Sequence, residues 1–174
     1  MISEKISNNN ILQFSFYSAL AITIFVIENL IPKPIPFLKL GLSNAVILVL
    51  IFHKKKIMAI GVTIVKVIVG GFFSGSLFSP AFVMSVGGSI VAITIMIIFY
   101  STSLNFGIVG ISILGAISHN LTQIVVVRYV LIQNSEIFYL TPMMIILGLV
   151  TGIVTGLVAQ KFISERKKND KVNS

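Results

Sequence analysis

The sequence predicts an all-α integral membrane protein, built as a bundle of six transmembrane helices with both termini in the cytoplasm. Of its 174 residues, 56% are hydrophobic and only 10% are charged, and the mean hydropathy is +1.03. A soluble domain carries about 25% charged residues. The apolar runs show no alternation of apolar and polar residues, so they favour helices over the strands of a β-barrel.

Six apolar segments define the predicted helices. Most of them approach the ~20 residues that a helix needs to span a hydrocarbon core ~30 Å thick. The second and third are short and are separated only by the sequence HKKK. The first contains ALA at 19–21, which mimics a signal-peptidase site, but the apolar sequence continues through it and predicts an uncleaved helix. The segments are 11–31, 38–53, 57–73, 80–100, 108–133 and 142–163.

The basic residues predict the orientation, because Lys and Arg are enriched in cytoplasmic loops. One cluster, 54–56, follows the second segment, and the other lies at the end of the chain. Both clusters are cytoplasmic if the chain begins with a cytoplasmic segment at 1–10. The transmembrane domain then covers 11–163, and a basic cytoplasmic tail covers 164–174. The basic residues that give the net charge of +8 then lie beside the membrane surface. They indicate lipids as partners and do not indicate nucleic acid. We expect a multi-pass protein of the plasma membrane. The second cluster comprises Lys161, Arg166, Lys167, Lys168 and Lys171.

Two helices carry small residues at four-residue spacing, which lets helix backbones approach closely in a membrane. The last helix has Gly148, Gly152 and Gly156, and the first has Ser15, Ala19 and Thr23. Packing inside the bundle is one interpretation of both stripes. For the first helix, docking against a helix of another protein is the alternative.

Four ionisable residues stand out within the apolar segments, where a charge costs about 2.5–3.5 kcal/mol and usually faces the bundle interior or a watery cavity. Lys66 and His119 lie near the middle of their helices, and Glu28 lies nearer the outside. Arg128 lies close to a helix end, where a long side chain can reach the interface. Glu28 either neutralises Lys66 as a structural ion pair or leaves Lys66 to meet an anionic ligand.

The fifth segment contains GAISHNLTQ at 115–123. At about 100° per residue, one third of the helix circumference carries Ser112, Gly115, His119, Thr122 and Gln123, with Asn120 at the border. This polar face predicts either a ligand cavity or a hydrogen-bonded bundle core. His119 has no second His, Cys or carboxylate at ligand spacing, so we expect no metal and no cofactor.

The segment PKPIPFLKLGLSN at 32–44 predicts a stiff outer crossing that leads into the second helix. Lys39, Ser43 and Asn44 would open that helix, and a helix N-terminus near a lysine suits an anion. Interfacial anchoring is the alternative role of Lys39. GGFFSGSLFSP at 70–80 is predicted to be an outer loop.

With PKPIPFLKLGLSN, GGFFSGSLFSP, GGSI and GISILGAISHNLTQ in this order, the chain resembles the Gx transporter family. That family is also described as heptaprenyl diphosphate synthase component I and is grouped with the substrate-binding S components of energy-coupling factor (ECF) transporters. The resemblance covers about 11–163. It implies a six-helix fold with an outward-opening pocket, and docking of Ser15, Ala19 and Thr23 on a transmembrane coupling subunit driven by two ATPases.

We therefore expect a non-enzymatic subunit that binds a small anionic or amphipathic substrate for uptake. One alternative is an accessory subunit of a soluble polyprenyl diphosphate synthase or a quinone-related system. Another is a solitary transporter or channel, although no inverted repeat is evident. With one Asp, Asp170, and four Glu, the chain cannot form the paired Asp-rich motifs that hold Mg²⁺–diphosphate, and it has no P-loop. The expected substrate-binding residues are Glu28, Lys39, Ser43, Asn44, Lys66, His119, Asn120 and Gln123.

Overall fold

Six α-helices form the protein in the computed structural model, which describes residues 2–31, 41–102, 105–131 and 135–172. These residues contain no strand, as the apolar patterning predicts. Helix α5 runs on into a π-helical turn, and a 3-10 helix precedes α6. The bounds are Ile2–Leu30 (α1), Asn44–Phe52 (α2), Lys56–Phe73 (α3), Pro80–Ser101 (α4), Ile108–Val126 (α5), Val127–Leu131 (π), Ser135–Leu140 (3-10) and Thr141–Val172 (α6).

Five helical stretches are long and apolar enough to cross a membrane within the described part of the chain: Asn8–Leu30, Lys56–Phe73, Pro80–Ser101, Ile108–Val130 and Ser135–Arg166. Helix α2 is different, because its nine residues cover only ~13.5 Å at 1.5 Å per residue. The predicted second span, 38–53, begins among residues that lie outside the described ranges, so six spans remain a prediction.

Helix α2 is the centre of the bundle. It contacts all five other α-helices, and every side chain from Ala45 to Ile51 is buried. Because other helices surround α2, its sequence AVILVLI is apolar on every side, as is typical of a helix that is buried all round.

Contacts at glycines show the relative direction of neighbouring helices. Phe14 and Phe25 of α1 pack over Gly61 and Gly70 of α3, so these two helices are parallel. Successive glycines of α6 pack against ever earlier residues of α5, so these two helices are antiparallel. The pairs are Gly148 with Ile117, Gly152 with Ile113 and Gly156 with Val109.

The two small-residue stripes differ in burial. In α6, a Cβ added to Gly152 would lie 2.6 Å from the Cα of Ile113, so this stripe packs inside the bundle, as one interpretation predicts. In α1, Ser15, Ala19 and Thr23 are all exposed. Packing of the α1 stripe inside the bundle is therefore wrong, because α1 turns the opposite face, including Tyr17 and Phe25, toward the core.

One end of the bundle, called the basic end below, collects both basic clusters and is defined by Lys54, Lys55, Lys56 and Arg166. Lys55 donates a hydrogen bond to Gln13 of α1, and Lys56 Nζ lies 2.7 Å from Ser101 Oγ of α4. Arg166 Nη1 of α6 lies 2.9 Å from the Tyr17 hydroxyl. The two clusters thus share a side, as the orientation argument requires, and the cytoplasmic location of that side stays a prediction.

Candidate functional site

A polar cluster lies inside the bundle at the N-terminal end of α2. Because α2 is ~13.5 Å long and its other end meets the basic end, the cluster lies ~13.5 Å from that end, which is about half the thickness of a ~30 Å hydrocarbon core. Lys66, ten residues after the start of α3, reaches the same depth at ~15 Å. The polar cluster is defined by Glu28, Ser43, Asn44, Lys66, Ser85, Ser89, His119, Asn120 and Gln123, and all but the partly exposed Asn44 are buried.

A tight turn before α2 gives the cluster its shape. Gly41 has φ of +70°, a left-handed conformation that costs other residues about 1–2 kcal/mol. Its carbonyl accepts a hydrogen bond from Asn44 N at 2.8 Å, and its own N–H donates to the Glu28 carboxylate. Glycine at this position of LGLSN therefore lets α2 begin inside the bundle, ~13.5 Å from the basic end, with its first backbone N–H groups paired.

Lys66 meets Asn44 at the centre of the cluster. The Lys66 side chain is 2% exposed, and its Nζ donates to Asn44 Oδ1 at 2.7 Å. Glu28, which is 4% exposed, lines the same cavity as Lys66, Ser43 and His119. Opposite charges therefore line one space, each with a hydrogen-bond partner that does not itself carry a charge.

Helix α5 supplies an amide and an imidazole on one buried face. His119 Nε2 and Gln123 Nε2 lie 3.1 Å apart, so the amide donates and the ring nitrogen accepts. Asn120 Nδ2 donates to the carbonyl of Met144 in α6 at 3.1 Å. The predicted polar face is thus buried. Thr122, placed on that face by angle alone, is partly exposed and donates within its helix to Ser118 O at 2.8 Å.

Gly88 makes room for His119. A Cβ at this position of α4 would lie 2.7 Å from Cε1 and 2.8 Å from Nδ1 of the imidazole. Such distances are shorter than any ordinary contact, so the ring lies directly against the α4 backbone. Gly88 of the sequence GGSI therefore has a packing role. Ser89, the next residue, lines the cavity together with His119.

The cluster encloses two small cavities. One, of about 20 Å³, lies among Glu28, Ser43, Lys66 and Ser89. The other, of about 10 Å³, extends toward α6, whose Thr151 and Thr155 line it. A cavity needs a volume of about 10–15 Å³, measured in this way, to hold one water molecule. Each cavity therefore has room for about one water, and a substrate would have to displace side chains or the turn before α2.

The structure brings most of the predicted binding residues together. Glu28, Ser43, Asn44, Lys66 and His119 line one cavity, Asn120 lines the other, and Gln123 contacts His119. Lys39 lies outside the described residues, so its predicted role is not assessed. Arg128 lies apart from both cavities, with its Nη2 3.3 Å from Ser135 Oγ and its guanidinium 5.5 Å from the Tyr129 ring centroid.

Sequence reasoning missed the contributions of α4 and α6. Ser85 and Ser89 of α4 line the cavity with Lys66, and Thr151 and Thr155 of α6 line its neighbour. Both pairs have a spacing of four residues, which places each pair on one helix face. Small hydroxyl residues at this spacing, beside Gly88 or the α6 glycines, are the signal that could have identified them.

No group of three or more His, Cys, Asp or Glu residues that could hold a metal ion occurs in the ranges that the structure describes. Glu28 and His119 are the only members of the polar cluster among these residue types. The donor set of the cluster is one ammonium, one carboxylate, one imidazole, three amides counting Asn44, and hydroxyl groups. Such a set can orient a small polar molecule by hydrogen bonds and charge.

One comparison with known proteins identifies a family, and two others find no match. No curated protein matches the chain significantly, and neither does any solved structure. The profile of the family described as "Heptaprenyl diphosphate synthase component I" matches residues 17–162, which include all six α-helices in whole or part and the whole polar cluster. A component I is the non-catalytic membrane subunit, in agreement with the expectation that the chain is not an enzyme. The chain thus belongs to the heptaprenyl diphosphate synthase component I family.

Proposed function

We propose that the chain is a membrane substrate-binding subunit, which takes up a small anionic or amphipathic molecule through the polar cluster and depends on a partner ATPase module for energy. The observation that carries this proposal is the hydrogen bond between the buried Lys66 and the partly exposed Asn44, 2.7 Å from Nζ to Oδ1, ~15 Å along α3 from the basic end. A buried ionisable group at this depth is costly and is typical of a substrate or ion pathway.

The roles of the residues follow from their chemistry. The Lys66 ammonium attracts the anionic part of the substrate, and Glu28 balances the charge of the empty site. His119 and Gln123 orient the molecule by hydrogen bonding. Asn120 holds α6 against α5 through Met144 O, so a substrate that separates these helices changes the shape of the bundle. Lys39 remains the predicted first contact on the outer side, and entry requires the turn at Gly41 to move.

The exposed stripe of α1 supports a partner that spans the membrane. Ser15, Ala19 and Thr23 are all exposed, and Thr23 Oγ1 donates to Ala19 O at 2.9 Å. The stripe therefore consists of small residues, and its Thr23 hydroxyl is paired within the helix, which suits a close helix–helix contact. We assign it to a transmembrane coupling subunit that joins the chain to its ATPases, in the plasma membrane.

Native mass spectrometry of the protein, extracted gently from the membranes of its own host, tests the proposal. We expect a retained small solute, or a complex with a membrane subunit and two ATPases. The double variant Lys66→Met, His119→Leu should lose the solute, whereas Arg128→Gln should keep it, because Arg128 lies outside the cluster. Retention of the same solute by the folded double variant would show that the cluster is not the site.

A second function is favoured by the family itself, whose description names a synthase component. In this function the chain anchors a soluble prenyl diphosphate synthase at the basic end, where Lys54 is exposed. The same spectrum distinguishes the two functions. A synthase bound in fixed ratio, and released by Lys54→Glu, would establish anchoring and overturn uptake.

A further inference from the structure

A groove between α1 and α6 faces the membrane beside the polar cluster. Both helices pack on α2, but among the described residues they make no extensive contact with each other. Helix α2 therefore forms the floor of a groove of about 390 Å³, within the range of small-molecule pockets. Its lining is apolar apart from one phenol: Tyr17, Leu20, Ile24, Leu42, Ala45, Val46, Val49, Val158, Ala159 and Phe162.

The groove opens into a wider mouth at the basic end. Tyr17 and Phe162 line both spaces, and the mouth, of about 600 Å³, adds Leu12 and Phe16 together with the polar residues Gln13, Glu165 and Arg166. Arg166 crosses from α6 to the Tyr17 hydroxyl of α1 at 2.9 Å. A guanidinium has five N–H donors, so this single bond leaves donors that can point into the mouth.

The mouth lies at the basic end of the bundle. Its two charged lining residues, Arg166 and Glu165, carry opposite charges. Lys55 lies outside the lining but donates to Gln13 of the mouth, so the mouth and Lys55 together carry one more positive than negative charge, which suits a ligand with a single negative charge. A diphosphate carries more charge and usually binds with Mg²⁺ held by carboxylates, and the described residues include no such carboxylate group.

We infer that the groove is a binding site for an anionic phospholipid of the leaflet at the basic end. Its phosphate lies in the mouth against Arg166 and the Tyr17 hydroxyl, and one acyl chain lies in the groove over α2. The apolar lining fits the acyl chain, and the Arg166 guanidinium with Lys55 nearby fits a phosphodiester. This inference does not depend on uptake of a solute through the polar cluster.

The absence of Trp from the sequence makes the test direct, because one introduced Trp is the only indole in the protein. Phe162→Trp places it between groove and mouth at a residue that is 44% exposed. Val154→Trp is the matched control, since Val154 is 46% exposed on the same helix and does not line the groove. Both variants are reconstituted in phosphatidylcholine vesicles that contain a small fraction of brominated lipid, whose bromine quenches indole fluorescence on contact.

We expect brominated phosphatidylglycerol to quench Phe162→Trp with an apparent affinity about three- to fivefold higher than that of brominated phosphatidylcholine, as one exposed charge contact gives. At Val154→Trp the two lipids should be equivalent. Added to Phe162→Trp, Arg166→Gln should remove the preference. Lys168→Gln should preserve it, because it removes an exposed charge outside the mouth.

Three results would overturn the inference. An equal preference at both Trp positions would show general enrichment of anionic lipid around the protein. A preference that survives Arg166→Gln would place the headgroup elsewhere. Protection of Phe162→Trp from both lipids would show that protein, such as a second copy of the chain, covers the groove. None of these results bears on solute uptake, since no solute is present.

Discussion

Replacing Gly88 by alanine perturbs the polar cluster at the contact between α4 and His119. The new Cβ would lie 2.7 Å from Cε1 and 3.0 Å from Nε2 of the imidazole, so the ring has to move. Overpacking of this kind costs about 1–3 kcal/mol. Moving the ring also breaks its contact with Gln123, which costs about 1 kcal/mol more. We expect Gly88→Ala to lower the free energy of unfolding by about 2–4 kcal/mol relative to its control.

The control is Gly87→Ala, one residue earlier in the same helix. There the added Cβ would meet only methyl groups, Val126 Cγ2 at 3.2 Å and Thr122 Cγ2 at 3.6 Å, which shift easily. Both variants gain the same helix propensity of alanine over glycine, about 1 kcal/mol, so their difference isolates the clash. The assay is reversible unfolding in mixed micelles.

A double-mutant cycle with His119→Ala identifies the clashing partner. If the imidazole is the obstacle, Gly88→Ala should cost little in the His119→Ala background. Equal stability of Gly88→Ala and Gly87→Ala, or an unchanged cost after removal of the ring, would refute the packing described here.

Two further predictions concern single contacts. Asn44→Ala should lower the free energy of unfolding by about 1.5–3 kcal/mol, the usual worth of a hydrogen bond to a charged group, because Lys66 loses an acceptor; Asn44→Asp keeps an oxygen in place and should retain most of the stability in the same micelle assay. Gly152→Ala should separate α5 from α6, because its Cβ would lie 2.6 Å from the Cα of Ile113, and should cost about 1–3 kcal/mol. Gly110→Ala, whose Cβ would meet only a ring carbon at 3.7 Å, should be neutral or stabilising, and the opposite order of these two glycine variants would contradict the α5–α6 packing.

The helices could be predicted from composition because long apolar runs in a membrane have few alternatives to helix. The exception is α2, for which hydropathy extended the helix back to residue 38 while the structure begins it at Asn44. Gly41, Ser43 and Asn44 form a turn-like sequence, and the left-handed Gly41 is a local reason for the later start. Hydropathy averages over such residues and does not detect them.

The polar residues of the site could be predicted by depth and helical angle, but their partners could not. Angle placed His119 and Gln123 on one face of α5, and their contact lies within that helix. The bond between Lys66 and Asn44 joins two helices, so it depends on how far α2 reaches into the bundle. The size of the cavities is also a property of packing, and the sequence contains no measure of it.

The turn before α2 connects the two proposed sites. Leu42 lines the groove, and Gly41, its neighbour, lines both cavities of the polar cluster. A solute too large for a cavity of about 20 Å³ has to move this turn, and an acyl chain in the groove presses on its other side. Coupling between two sites is reciprocal. If the groove holds a phospholipid and the cluster a solute, each ligand must change the affinity for the other by the same factor.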